Sequence, residues 1–366
     1  MTRLLHTADL HLKAGNEKPY CFAVLDEIIA LAGKEKAGFL IIAGDLFDSF
    51  SDFEALRGEV CLKLKPLAYG GCRIIYIPGN HEARGAAAAL SAYDLSPLTF
   101  CAAPPFALVE AGDMEFLCVP HCENYDGYRD WAVPPKKPGV TRVAVLHALN
   151  STVYTGPEEE ADSKTGVIED EFFFRFGVDY AAMGHLHSGR QHLLGGAVAC
   201  YPGSPRVWRA HSREAGPKTV RVVETGVSPV SVRAVEIKAA GQYREYFLPV
   251  ELNGVIDLTG IHRIEAEIGV RDLVDVKLTG VVEDEKAARA EAEKLRARLA
   301  GKVRLAEVGL ETKPAVEISS NSLAKNFLAE MEAVKPAPEE AADYRRWLLA
   351  RQYGLEEIAA GLGGAK

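Results

Sequence analysis

Five short clusters carry side chains able to hold metal ions or move protons. Asp9 and His11 stand in "TADLH", Asp45 and Asp48 in "AGDLFD", and Asn80, His81 and Glu82 in "PGNHEAR". His147 stands in "LHA", and His185 and His187 in "GHLH". Aspartate, asparagine and histidine are borderline-hard ligands, suited to manganese, iron or zinc rather than to thiophilic metals. In Asp9-x-His11 and His185-x-His187, extended residues at i and i+2 point the same way, so each pair can enter one pocket. A carboxylate shared by two cations would hold them roughly 3.5–4 Å apart, the arrangement that serves displacement at phosphorus. Gly44, Gly79, Gly184 and Gly203 lie beside these residues and let the backbone turn sharply, leaving room for a substrate.

Singly, the clusters are ambiguous. A DxH pair arises often by accident, and aspartate is common at strand–helix turns. GNH and GHxH are more specific when each follows a strand. What points to one site is their joint occurrence, because each cluster closes a predicted strand.

Those strands are short apolar runs: "RLLHTAD", "GFLIIAGD", "CRIIYIPGN", "EFLCVPH", "RVAVLHA", "DYAAMGH" and "AVACYPGS". Helical segments are predicted near Cys21–Lys36, Asp52–Leu67 and Ala86–Leu95. Alternating strand and helix is the α/β signature, and in open α/β sheets ligands bind beyond the C-terminal strand ends. "VPPKKPGV" and "TGPEEEADSKTG" read as loops from their proline, glycine and charge content. After about Glu224 the pattern changes. "HRIEAEIG", "LVDVKLTGVV" and "KVRLAEVGLE" alternate apolar with polar residues and read as strands. Between the last two, "EDEKAARAEAEKLRARLAG" reads as an amphipathic helix with many i,i+4 charge pairs. Ser322–Val334 and Glu339–Leu362 read as two helices separated by "KPAPEE".

The chain has 366 residues, more than one compact domain usually needs. Its formal net charge of -9 argues against coating nucleic acid by bulk electrostatics. It does not exclude a nuclease whose carboxylates are neutralised by cations. Any nucleic-acid contact must then be a local basic patch. "SPRVWRAHSR" offers Arg206, Arg209, His211 and Arg213, with Trp208 placed either to stack on a base or to anchor the loop. Seven cysteines without a CxxC pair argue against a disulfide scaffold or a structural zinc site, and Cys118 and Cys122 read as thiols at a strand end. No uncharged apolar run is long enough to span a bilayer, and the first residues lack a signal-peptide pattern. The expectation is a cytoplasmic protein without a membrane partner.

"DLH", "GDLFD", "GNHE", "LHA" and "GHLH" in this order resemble the calcineurin-like metallophosphoesterase superfamily over roughly residues 1–225. Within it, "LLHTADLHL" and "GDLFD" resemble the SbcD-type DNA repair exonucleases, and "GHLHSGRQHL" followed by "CYPGSPRVWRAHSREAGPK" is similar to a YhaO-like bacterial branch. The resemblance implies a four-layer α-β-β-α sandwich over residues 1–228, a small α/β capping domain over 229–316 and a C-terminal helical segment over 317–366. It implies two divalent cations, Mn2+ first and Fe2+ or Zn2+ next. One would be held by Asp9, His11, Asp45 and His187, the other by Asp45, Asn80, His147 and His185. A hydroxide shared between them would attack phosphorus in line. His81 would assist the leaving group, Asp48 would orient His81, and Arg84, Arg206, Trp208 and Arg209 could meet the substrate. Many SbcD-type sequences have aspartate where this chain has Glu82, and either complements a helix N-terminus.

The implied activity is a DNA exonuclease and endonuclease acting in double-strand break repair, as a homodimer beside an SbcC-like coiled-coil ATPase. Two other activities stay open: a cyclic nucleotide or nucleotide phosphodiesterase, and a mainly structural role beside that ATPase. Protein phosphatases of the superfamily continue "GDxVDRG" and "RGNHE", whereas this chain reads "GDLFDSF" and "PGNHEAR". In the C-terminal helices, Leu323, Phe327, Leu328, Met331, Trp347, Leu348 and Tyr353 form an apolar stripe that can pack on its own domain or on a partner.

Overall fold

The computed structural model describes residues 2–83, 90–153, 166–208, 214–256, 258–315, 321–337 and 341–363. The chain divides into two compact units, Met1–Gln242 and Tyr243–Lys366.

The first unit is built on two six-stranded sheets. In the first sheet, β1 (Arg3–Thr7), β2 (Phe39–Ala43), β3 (Arg73–Ile77) and β4 (Thr99–Phe100) run parallel in that order. The second sheet has an antiparallel edge in β5 (Ala107–Ala111), followed by parallel β6 (Met114–Val119) and β7 (Thr141–His147). A short ladder, β8 (Leu149–Asn150) with β9 (Val167–Ile168), stands apart. The second sheet continues parallel through β10 (Tyr180–Gly184) and β12 (Ala197–Tyr201), and β11 (Arg190–Leu194) closes its far edge antiparallel. β13 (Thr219–Glu224) and β14 (Ser231–Glu236) return antiparallel to the first sheet beside β1.

Alternation along the strands produces the layers, since successive side chains face opposite sides of a sheet. Leu5, Leu40, Ile42, Ile74 and Tyr76 face outward against α1 (Lys18–Lys34) and α2 (Phe50–Tyr69). Leu4, Ile41, Ala43, Ile75 and Ile77 face inward and meet Phe116, Val143, Val145, Tyr180 and Ala182 of the second sheet. Leu117, Ala144, Leu146, Ala181 and Met183 face out on the far side, against Tyr125, Tyr128, Phe172 and Phe173. This is the expected α-β-β-α order, although among the described residues the last layer is thin. It consists of a five-residue 3-10 helix at Asp126–Asp130 and one six-residue helix later in the chain, Asp170–Arg175. α1 buries Cys21, Val24, Leu25, Ile28 and Ala32, a helical stripe, and α2 starts where the Ser49 hydroxyl accepts from Asp52 N (3.1 Å). Of the helix expected at Ala86–Leu95, residues 86–89 lie outside the described residues; only Leu90 of the remainder is helical, and the chain then turns, with Tyr93 N donating to Leu90 O at 3.1 Å, so the helix does not extend to Leu95. The loop expected at Thr155–Gly166 lies outside the described residues except for Gly166.

The first unit reaches Gln242 rather than ending at 228, because β14 pairs along all of β13 and Tyr20 Oη donates to Ala240 O at 2.8 Å. The second unit is a three-stranded parallel sheet of β15 (Tyr243–Pro249), β16 (Leu273–Val282) and β17 (Leu305–Pro314). Numbering the remaining helices in chain order, α3 is Asn80–Ala83, α4 is Asp170–Arg175, α5 is Leu258–Glu267 and α6 is Glu285–Leu299. The segment "HRIEAEIG", expected as a strand, falls mostly in α5. Its buried residues are Ile261 and Ile264, three apart, so the helical face and not the two-residue alternation meets the core. α6 begins at Asp284, whose carboxylate accepts from Lys286 N and Ala287 N. α7 (Ser322–Ala333) and α8 (Ala341–Gly363) belong to this unit too. Ala324 and Leu355 pack with Val281 of β16, and Phe327, Leu328 and Ile358 close over them, so much of the apolar stripe is spent within the unit. Leu323 and Tyr353 remain more than half exposed. No helix among the described residues is long and apolar enough to cross a membrane, and all seven cysteines are free.

Candidate metal centre

The parallel strands β1, β2 and β3 all end on one edge of the first sheet, and β7 and β10 end on the matching edge of the second. The turns after them are tied to one another. Asp9 N donates to Gly44 O (3.1 Å), His11 N to Asp45 O (3.0 Å), and His185 N to the Asp9 carboxylate (3.0 and 3.1 Å). Asp9, His11, Asp45 and His185 have φ of 55°, 46°, 49° and 100°. L-residues rarely adopt that region, and it persists only where surrounding bonds over-determine it. Two glycines are required by close approach. A Cβ on Gly79 would collide with the Asp45 carboxylate, and one on Gly184 with Ala43 O.

The side chains converge. His147 Nδ1 donates to Ala43 O (2.8 Å), which turns Nε2 toward Asn80 Oδ1 (3.0 Å) and Asp45 Oδ2 (3.3 Å). His185 Nδ1 lies 3.3 Å from the same Asn80 oxygen. His11 Nε2 faces His187 Nε2 at 3.1 Å and Asp45 Oδ2 at 3.9 Å. His81 Nδ1 donates to the main-chain oxygen of Asp48 (2.8 Å), its amide donates to Asp45 Oδ1 (3.0 Å), and its Nε2 lies 4.0 Å from Asp45 Oδ2. Three overlapping trios hold their donor atoms within 4.8 Å: Asp9, His11 and His187; Asp9, Asp45 and His147; and His11, Asp45 and His81.

This donor set fits divalent cations. With its Nδ1 proton committed to Ala43 O, His147 can meet the two oxygen acceptors at Nε2 only through a second proton or a cation, and His11 and His187 present ring nitrogens to each other. Lone pairs that close need a proton or a cation between them. His185 Nε2 is buried without a hydrogen-bond partner.

Electrostatics say the same. Burial pushes the Asp9 carboxyl up to about 6. Burial would also raise Asp45, but the charge and hydrogen bond of His147 overcome it and hold Asp45 well below the usual carboxylate range. Burial opposes a charge on His147, yet Asp45 outweighs it and lifts the imidazole to about 9. Burial takes His185 down to about 3 and His11 well below the ordinary histidine range. A centre that forces some imidazoles neutral and one carboxylate ionised is prepared for positive charge.

All seven sequence-derived ligand candidates therefore meet in one place, with His81 beside them. Three expectations for neighbouring residues change. The Asp48 carboxylate does not hold His81, whose partner is the Asp48 carbonyl; the carboxylate takes Trp208 Nε1 (2.8 Å) and Lys13 Nζ (2.9 Å) and lies 3.6 Å from His11 Nδ1. Arg206, expected at the substrate, is buried to 1% exposure and donates to Leu10 O (2.6 Å) and His11 O (2.7 Å), so it braces the turn that carries His11. Trp208 is not an open platform for a base. One ring face stacks on His11 at 4.7 Å and its edge region meets His187 at 4.9 Å, so it walls the centre. Arg84 and Arg209, with His211 and Arg213, lie outside the described residues. His121, half-buried, bonds through Nδ1 to His147 O (3.3 Å) and borders the centre.

Two residues were missed. Glu82, expected to serve a helix dipole, is fully buried. It accepts from Gly79 N (2.7 Å), Phe47 N (2.8 Å), Asp45 N (3.1 Å) and Tyr76 Oη (2.8 Å), clamping the turns after β2 and β3 together. Glu214 lies 3.7 Å from His187 Nδ1 and pairs with buried Lys218. Burial opposes its charge, but His187 and Lys218 prevail and hold it at about 2. The one available signal was its i,i+4 spacing to Lys218.

DNA double-strand break repair protein Mre11 of Methanopyrus kandleri is 28% identical over 236 residues, 56% of this chain and 48% of that protein. The chain thus spans about half the length of that relative. A dimetal phosphatase from Danio rerio aligns with 64% of this chain and 99% of its own at a TM-score of 0.41 and 11% identity. A conserved phosphoesterase-type protein from Streptococcus pneumoniae aligns with 65% of this chain and 90% of its own at 0.32 and 15%. The calcineurin-like phosphoesterase family matches residues 2–189, just over half of the chain and the stretch that carries every converging ligand candidate. This chain belongs to that family.

Proposed function

We propose that the chain hydrolyses phosphodiesters of DNA, as a nuclease acting in double-strand break repair. The observation that carries the DNA reading is the likeness to Mre11 over 236 residues, a protein whose name states that role. In this reading Asp9, His11, Asp45 and His187 hold one cation and Asp45, Asn80, His147 and His185 the other, with Mn2+ the first choice by ligand type. Bound cations supply Lewis-acid stabilisation of charge on phosphate oxygens and acidify nearby water.

The chain's own residues do the rest. Asp45 touches both halves of the centre and fixes their separation. His81 keeps 23% of its side chain exposed, and its bond to Asp48 O leaves Nε2 to face the reacting phosphate. There it stabilises charge and delivers a proton to the leaving oxygen. Lys13, paired with Asp48 and nearly half exposed, is placed to meet a phosphate at the rim. Burial of Arg206 leaves DNA contact to such rim residues. The same reading includes a homodimer and a coiled-coil ATPase partner, with the exposed Leu323 and Tyr353 of α7 and α8 as its contact.

The test is a Mn2+ substrate panel: duplex DNA, hairpin DNA, a cyclic nucleotide, a nucleoside diphosphate ester and a phosphopeptide. Cleavage of the DNA substrates is expected, and turnover of the small substrates alone would replace this reading with a small-molecule phosphodiesterase. His81→Ala should lose roughly 10²–10⁴-fold in kcat while keeping its metals. Loss of metal in that variant would make His81 a ligand instead.

A further inference from the structure

We infer that Glu214 is a positioning residue for His187, and that it makes the two cation positions unequal. The inference rests on the ligand assignment above and goes beyond it.

The geometry starts from His187. Its Nε2 faces His11 Nε2 at 3.1 Å, so its Nδ1 edge points out of the centre. There it meets Glu214 Oε1 at 3.7 Å. Glu214 is only 2% exposed, and Lys218, which holds its other oxygen, is 6% exposed. A buried carboxylate anchored by a buried lysine is a fixed acceptor, not a surface charge passing by. Trp208 stacks on His11 and meets His187 edge-on. Trp208 and Glu214 therefore both hold the His11–His187 side.

The other side is held differently. His147 Nδ1 donates to a neutral carbonyl, Ala43 O, at 2.8 Å. Around the His147 carbonyl stand Tyr125 Oη (3.2 Å) and His121 Nδ1 (3.3 Å). A carbonyl fixes an imidazole's tautomer and tilt. A carboxylate does both and also increases the electron density that the ring offers to a cation. The Asp9–His11–His187 position, with Glu214 behind one imidazole and Asp48 3.6 Å from the other, should bind its cation more tightly than the Asn80–His147–His185 position.

Mn2+ binding to the full chain tests this by calorimetry and by electron paramagnetic resonance. Wild-type protein is expected to take up two Mn2+ in two resolved steps. Glu214→Gln should weaken the tighter step by about 10–100-fold, the usual effect of removing such a partner, and leave the weaker step unchanged. Its spectrum at one equivalent of Mn2+ should shift to the environment of the other position. Glu214→Asp should recover part of the affinity, which a merely structural role would not predict. It also serves as the test variant if Glu214→Gln fails to fold, since any selective weakening of one step supports the inference. Two Mn2+ bound with unchanged or equally weakened steps in the folded variants would overturn it. The ligand assignment fails separately, if wild-type protein binds no Mn2+ or if Asp9→Asn leaves both steps intact.

Discussion

The two sheets of the first unit supply the centre with different chemistry. The first sheet brings every oxygen donor, Asp9, Asp45 and Asn80, together with His11 and His81. The second brings imidazoles only, His147, His185 and His187. The bonds between them run mostly one way: His147 Nδ1 is fixed by Ala43 O of the first sheet, and His185 N is fixed by the Asp9 carboxylate. Three of the four ligand candidates with left-handed backbone also lie on the first sheet. The first sheet is thus the frame that carries the carboxylates and most of the strain, and the second docks imidazoles onto it. Neither sheet presents a complete set of ligands alone, so the site exists only when the inner core between the sheets is packed.

The variant that should break this division most severely is Asp45→Asn. Its carboxylate lies 3.3, 3.9 and 4.0 Å from His147, His11 and His81 and so faces three imidazoles at once. Removing it should abolish most bound Mn2+ and cost about 10³-fold or more in hydrolysis of a bis-aryl phosphate, at the upper end of what one electrostatic element contributes. His147→Asn, on the second sheet, should cost less. Equal losses in metal content and rate would mean that the first sheet does not dominate.

A smaller effect should follow from loosening the frame without touching a ligand. In Glu82→Gln an amide NH2 would point at two of the four donors now aimed at the carboxylate. Leaving buried donors unsatisfied costs about 1–3 kcal/mol, so the melting temperature should fall in the metal-free protein. Mn2+ affinity should fall with it, because Asp45 N is one of the donors released. An unchanged melting curve would show that the two turns hold themselves.

What could be seen in the sequence follows the same division. Strand ends were legible because apolar runs such as Phe39–Ala43 and Tyr180–Gly184 stop abruptly at glycine-flanked polar residues, and that placed all seven ligand candidates. Their supports were not legible. Glu82 looked like a dipole partner because its real donors, Asp45 N and Phe47 N, come from a turn far away in the chain. Arg206 and Trp208 looked like a basic, aromatic surface because sequence does not say which face of a loop turns inward. In the second unit, Ile264, Ala266 and Ile268 mimic strand alternation, but burial of Ile261 with Ile264 decided for a helix. Period-two and period-three patterns overlap in so short a window. The boundary at 228 failed for a related reason: β14 is an edge strand with little buried surface, so its pattern does not tie it to the first sheet.

The smallest effect at neutral pH concerns the seam between the sheets, away from the ligands. His6 on β1 is fully buried and its Nδ1 lies 2.7 Å from Tyr180 Oη on β10, one direct polar link between the two sheets. Burial, with Arg221 adding repulsion, drives its pKa down to about 3. In the unfolded chain the group titrates near 6.5. Between these values the unfolded chain binds a proton that the folded one refuses, so folding is weakened as the pH falls. The contribution is therefore complete above about pH 6.5 and is lost from there down toward pH 3, at up to about 1.4 kcal/mol per pH unit. His6→Gln keeps a polar group facing Tyr180 and removes the titration. Melting temperatures from pH 7 to pH 4 should fall less steeply in that variant than in the wild type, while the carboxylates common to both cancel. Parallel slopes would mean that the two sheets admit the proton at His6 without separating, and that the seam is softer than the frame.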